Sequence, residues 1–233
     1  MPLLKLIALI LLLCVLPPLQ AEECVKKNMI VATRLRTPLD AAGFPGQAAW
    51  NTAADPVTFC ADWQGRNLDP QRQTEVRMLW SPEALYLRFR AKYRTLYTYP
   101  GGPQRRDLLW ERDVAEVFLQ NDAQSGRNYS EFETSPNGDW IDLAINAAGH
   151  SDLQSGMHSR VIVDEVAKVW TAELAIPTRA LAANFDPKHS WRVNFFRVEG
   201  PEPNRFYSSW KPTNTERPNF HVPEAFATLE FRD

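Results

Sequence analysis

"TEVRMLWSPEALYLRFRAK", Thr74 to Lys92, decides the fold class. In its second half Leu85, Leu87, Phe89 and Ala91 alternate with Tyr86, Arg88 and Arg90. A period of two sends the first set to one face of a strand and the second to the other, so this strand has one dry face. Ser81-Pro82-Glu83 is a turn signal that separates it from a preceding strand over Thr74 to Trp80. The same grammar repeats along the chain in "VAEVFLQ", "NYSEFET", "DWIDLAI", "SRVIVDE", "VWTAELAI", "WRVNFFRV" and "FATLEF", with "SPNGD", "NAAGHSD", "FDPKHS" and "EGPEPN" as breaks. Only "PTRALAA", opened by Pro177, reads as helix. Nine or more strands with almost no helix predict an all-β, two-sheet antiparallel β-sandwich.

The 233 residues suit one domain, and no repeat or low-complexity linker divides them. A net charge of -2 gives no basic footprint for nucleic acid or an anionic membrane. The start, "MPLLKLIALILLLCVLPPLQAEECV", has one lysine, an apolar run too short to span a bilayer and Ala21 before a polar beginning. It reads as a signal peptide over residues 1–21, with an uncleaved anchor helix as the alternative. Cleavage predicts a secreted or periplasmic protein with no membrane span, a short arm over 22–44 and a domain over 45–233. It also leaves two cysteines, Cys24 and Cys60. In an oxidising compartment an even pair suggests a disulfide that would contribute roughly 3 to 4 kcal/mol through loop closure. Two unrelated buried thiols are the alternative.

Within "DLLWERDVAEVFLQ", Asp107 to Gln120, the strand carries a lone glutamate. If Ala115, Val117 and Leu119 face the core, Val114, Glu116, Phe118 and Gln120 share the other face, which a two-layer fold need not bury. Asp142 likewise shares a face with Trp140, and Arg197 with Trp191 and Phe195. Aromatic planes beside polar groups suit a neutral, hydroxyl-rich ligand: rings stack on C–H faces and a carboxylate accepts paired hydroxyls. Pairing of Glu116 with Arg197 or Arg112 is the competing reading, and Glu173 reads as an arginine partner.

The segments "LLWERDVAEVFL" (108–119), "NYSEFETSPNGDWIDL" (128–143), "VWTAELAIP" (169–177), "WRVNFFRVE" (191–199) and "SSWKPT" to "NFHVPEAFATLEF" (208–231) stand in the order of a known family. Over about residues 45–233 the chain resembles the family-nine carbohydrate-binding modules. The resemblance implies a DOMON-like or jelly-roll-like sandwich that binds mono-, oligo- or polysaccharide without catalysis. It implies that Trp110 and Trp210 clamp a terminal sugar and that Glu116 holds its hydroxyls. The family's arginine and asparagine fall on Glu133 and Ser135, a departure that removes charge-assisted donors from the site. Structural calcium is also implied, and Asp122, Asp139 and Asp152 are candidate oxygen ligands, without a defined ligand loop. Separate glycoside hydrolases are the partners such a module would serve in carbohydrate catabolism.

Two other functions compete. A b-type haem, as in DOMON relatives, would need Met78 or Met157 with a histidine, yet His150, His158, His189 and His221 show no ligand spacing. A hydrolase acting on O-glycosyl bonds would pair Glu116 with Asp142 or Glu173. Trp80, Trp170 and Trp191 read as packing, Trp50 and Trp63 as edge cover. Asn128-Tyr129-Ser130 is a glycosylation sequon.

Overall fold

The strands flanking Ser81 pair antiparallel as expected, with Val76 opposite Phe89 and Met78 opposite Leu87. A computed structural model describes residues 27–233 of the chain. The predicted leader and Cys24 lie outside the described residues; Cys60, the other half of the expected disulfide, is buried. In chain order the elements begin with β1 (Met29–Arg34), α1 (Gln47–Thr52), β2 (Val57–Phe59), β3 (Thr74–Trp80) and β4 (Ala84–Lys92). They continue with β5 (Val114–Asn121), β6 (Tyr129–Thr134), β7 (Trp140–Asn146), β8 (Gly149–Asp152), β9 (His158–Asp164) and β10 (Val169–Pro177). The last are α2 (Thr178–Leu181), β11 (Trp191–Glu199), β12 (Phe206–Ser209) and β13 (Ala227–Arg232).

These strands make one hydrogen-bonded sheet in the order β8-β7-β6-β5-β11-β13-β1-β3-β4-β10-β9, with β12 also on β11 and β2 on β3. The expectation of two purely antiparallel sheets is corrected in this respect. β1 runs parallel to both its neighbours, β13 and β3, and the sheet is mixed. The reason lies in "MIVATR", six residues read as part of a loose arm, which instead occupy the middle of the sheet.

The sheet curls on itself. β4 and β11 are four steps apart along the path, which in a flat sheet means roughly 19 Å at ~4.8 Å per strand. Yet Phe89 and Phe195 meet edge to face at 5.9 Å. The inner faces therefore pack together, burying Val76, Met78, Leu87, Val117, Trp170, Val193 and Phe195 in one core. The expected inward set of β5, Ala115, Val117 and Leu119, lies in it.

The outer face differs from expectation. Over β5, β6, β7 and β11 it is covered by a further layer, in which Leu109, Phe220 and Phe226 pack on Val114, Phe118, Ile141 and Phe196. Phe220 stacks on Phe196 at 4.4 Å. The residues between β12 and β13 form no further strand, but burying Phe220 and Phe226 turns them into a lid over β11. Glu116, expected on an open face, is only 2% exposed beneath it.

Arg197 is also fully buried. It does not reach Glu116: it faces the opposite side of the sheet, pairs with Glu199 and donates to the carbonyls of Arg72 and Lys92. Arg112 stacks over Tyr97 and Tyr99 instead. Glu173 takes both Arg88 and Arg160, as its position in β10 suggested.

Candidate functional site

The outer face of β5 and β6 gathers three carboxyls. Antiparallel register sets Glu116 opposite Glu133, and Glu131 lies two residues from Glu133 on the same strand and face. One oxygen from each lies within 4.8 Å of the other two. All three side chains are buried, and none of the described lysines or arginines forms an ion pair with them. Glu116 Oε1, Glu131 Oε2 and both oxygens of Glu133 have no hydrogen-bond donor from outside the cluster. Burial, reinforced by the Glu131 charge, pushes the Glu116 carboxyl well above the usual range. Glu133 is raised likewise by burial and by both neighbours. Burial lifts Glu131 to about 7, moderated by a hydrogen bond with Glu133.

Above this floor lies a cavity of about 230 Å³. Glu116 and Glu131 reach it from β5 and β6, and Leu143 and Ile145 form an apolar wall on β7. Trp110 enters from a one-turn 3₁₀ helix, Leu109–Glu111, and meets His150 of β8 edge to face at 5.9 Å. Leu108, which precedes that turn, is held at φ 58, a left-handed conformation costly for a leucine. The Tyr99 hydroxyl donates to its carbonyl at 3.2 Å, helping to fix the turn. Tyr207 of β12, Phe220 and His221 close the far side. His221 stacks on Phe118 at 5.4 Å, and its Nδ1 lies 2.6 Å from the Tyr129 hydroxyl. Burial and the nearby His150 hold its pKa below the ordinary histidine value. Arg205 also lines the cavity, but its guanidinium donates to the carbonyls of Gly200 and Glu111.

A larger cavity, about 880 Å³, lies on the outer face of β3, β4 and β10. Its charges are largely spent on one another: Glu173 takes Arg88 and Arg160, and Glu75 takes Arg77. Trp50 is covered by Arg88 at 4.6 Å. The smaller cavity combines free aromatic surface with unpartnered carboxyls and is the better candidate.

Of the expected sugar ligands, Trp110 and Glu116 meet at this cavity. Glu133 supports its floor without lining it, and Ser135 is fully buried. Trp210 is elsewhere: it packs in the inner core with Phe195 at 5.5 Å, across the sheet from Trp110. The two indoles cannot clamp one ligand, because the chain after β12 bonds Trp210 N to Phe195 O and turns the ring inward. Asp122, Asp139 and Asp152 do not converge; they lie beside His189, Arg106 and Arg105 respectively. Met78 and Met157 are in the inner core, where none of the four histidines packs, which gives no axial pair. Asp142 accepts from Ser155 N on the inner face, opposite Glu116. The sequence reading missed Glu131, although the period of two in "YSEFET" places it on the face of Glu133. It also missed His150, Tyr207, Phe220 and His221, which only tertiary folding brings in.

No family model matches the chain. A protein described as carbohydrate-binding from Bacteroides uniformis superposes with a TM-score of 0.67 at 16% identity, over 88% of this chain and 99% of its own. A family-nine carbohydrate-binding module from Caldicellulosiruptor kristjanssonii, bound to cellotriose, superposes with a TM-score of 0.61 at 14% identity, over 88% and 93%. The fold is that of a family-nine carbohydrate-binding module. A structure of such a module with glucose agrees, with a TM-score of 0.60 at 13% identity over 87% of this chain and 95% of that one. In sequence the chain is similar to an "Extracellular protein" of Arthroderma benhamiae, 24% identical over 179 residues, covering 70% of this chain and 80% of the relative.

Proposed function

We propose that the chain is an exported, non-catalytic protein that binds the end of a carbohydrate in the Trp110 cavity. The observation that carries this is the meeting of part-exposed aromatic surface with carboxyl oxygens that no lysine or arginine satisfies. Trp110 and Tyr207 offer ring surface to C–H groups, whose burial removes apolar area from water on both sides of the contact. Glu116 and Glu131 offer oxygens to hydroxyls. At about 230 Å³ the cavity is below the ~300–1,000 Å³ usual for drug-sized ligands, which favours one terminal unit over a chain threaded through. The sugar-bound family-nine modules of the same fold support the ligand class, and the extracellular relative together with the predicted leader supports export. No helix among the described residues is long and apolar enough to cross a membrane.

Hydrolysis is disfavoured by geometry. Glycosidases place two carboxyls on either side of the scissile bond. Here Glu116 and Glu131 stand side by side in the cavity floor, and Asp142 is behind the sheet. Presenting polysaccharide ends to separate hydrolases suits such a protein better.

The test is a glycan array followed by calorimetric titration of the best ligand into wild-type and Trp110→Ala protein. Affinity should fall about tenfold or more in the variant, while the melting temperature moves by only a few degrees. A folded wild-type protein that binds nothing on the array, or equal affinity in the variant, sinks this reading.

A further inference from the structure

We propose that Glu116, Glu131 and Glu133 hold a divalent calcium ion in the floor of the Trp110 cavity, with open coordination positions that take sugar hydroxyls. Three buried carboxyls with no lysine or arginine partner, and only the His221 imidazole 3.9 Å from Glu131 Oε2, are an electrostatic anomaly, since buried charge is otherwise paired or bound to metal. Here the outer-face cover buries them and brings no described lysine or arginine to them, although arginines serve other buried acids such as Glu173, Glu199 and Asp139.

Two features separate this cluster from an ordinary acidic patch. Glu133 is fully buried on the same face, directly across from Glu116, and no residue outside the cluster donates to either of its oxygens. The cluster also opens on one side to a cavity, through Glu116 and Glu131. The ligand oxygens span at most 4.8 Å. Three oxygens evenly placed 4.8 Å apart stand roughly 2.8 Å from their common centre, against ~2.3–2.6 Å for calcium, so a closer approach of a few tenths of an ångström brings all three onto one ion. An all-oxygen set selects a hard cation, and three carboxylates leave some of calcium's six to eight positions unfilled. The vacant side is the one facing Trp110. Neighbouring hydroxyls of a sugar could fill it while its C–H face meets the indole; this second half of the proposal rests on the carbohydrate reading.

Calcium chloride alone is titrated by calorimetry into chelator-stripped protein and into Glu133→Gln and Glu116→Gln, with folding checked by near-ultraviolet circular dichroism. The wild type should take up one equivalent with a dissociation constant of about 10⁻³ M or tighter, the range of extracellular sites. Each variant should bind at least tenfold more weakly and lose the rise in melting temperature that calcium gives the wild type. Absence of saturable binding, or equal affinity in both folded variants, overturns the site. If either variant fails to fold, Glu131→Gln replaces it under the same criterion. The best glycan is then titrated into calcium-loaded and chelated wild type. At least tenfold weaker binding on chelation supports bridging, and equal binding overturns it. Calcium uptake with no glycan bound in either state upholds the cation site and rejects the carbohydrate reading.

Discussion

Trp110 and Trp210 look equivalent in the sequence, and burial separates them. Trp210 is 6% exposed in the inner core, so Trp210→Ala should leave a cavity and cost about 3–5 kcal/mol in urea unfolding. Once allowance is made for the unfolded fraction, its ligand affinity should match wild type; a selective loss of binding at full stability would return Trp210 to the site. Asp113 makes a second residue-scale test. It is 1% exposed and accepts from Gly200 N at 2.6 Å and Tyr97 N at 3.0 Å, yet burial pushes its carboxyl up to about 6. The nearby Glu199 raises it and Arg197 lowers it. The folded state therefore holds a proton that the unfolded chain, titrating near 3.9, gives up earlier. Its contribution is full below about pH 4 and is lost as pH rises through about 6, on the order of 3 kcal/mol in all. Asp113→Asn should remove that slope. Parallel urea stability profiles for wild type and variant from pH 4 to 7 would show that Asp113 titrates normally. Glu116 was legible as an oddity in its strand, but the absence of a counter-charge was not, because Arg197 is close in pattern and lies across the sheet in space.

Strands with a clear period of two were readable: β3 and β4 match the sequence reading residue for residue, and β5, β6, β10 and β11 differ only at their ends. β1, β2, β8 and β12 were not. β2, β8 and β12, of three or four residues, are too short to show a clear period, and β1 lay in the stretch read as an arm; their pairing is supplied by neighbours already formed. β12 is the consequential omission, because the chain beyond it carries both Trp210 and the cavity wall. Its course is held by Asn194 in β11, whose side chain donates to Lys211 O at 2.9 Å and accepts from Lys211 N at 3.0 Å and Phe195 N at 2.9 Å. Asn194 is fully buried, so Asn194→Leu orphans several polar groups at once. The cost should be about 2–3 kcal/mol. Hydrogen exchange should accelerate over residues 206–222 before the rest of the sheet, and ligand affinity should fall with the loosened Phe220. Uniform acceleration across the sheet would mean that Asn194 supports the core in general and not this segment.

At the scale of the molecule, the all-β class followed from strand periods and turns, whereas the curl and the mixed sheet did not. Strand order is a property of partners far apart in sequence: β1 meets β13 with Met29 opposite Thr228. β13 joins the half-sheet that ends in β11 to the half-sheet that begins at β1. A chain ending at Phe226 should therefore lose the continuity of the whole sheet and not just one strand. It should be insoluble or non-cooperative in thermal melts, and a peptide of residues 227–233 supplied in trans should recover folded protein, since an open slot between two strands is a template for a third. Cooperative melting of the truncated chain at the wild-type temperature would contradict this. The same seam sets a timetable. Its pairing waits on residues made almost two hundred positions after β1, so neither half can close on the other while the tail is still being synthesised. On an export route, a polypeptide that cannot finish its sheet early stays slack enough to be threaded, and closes only on the side where its last strand arrives.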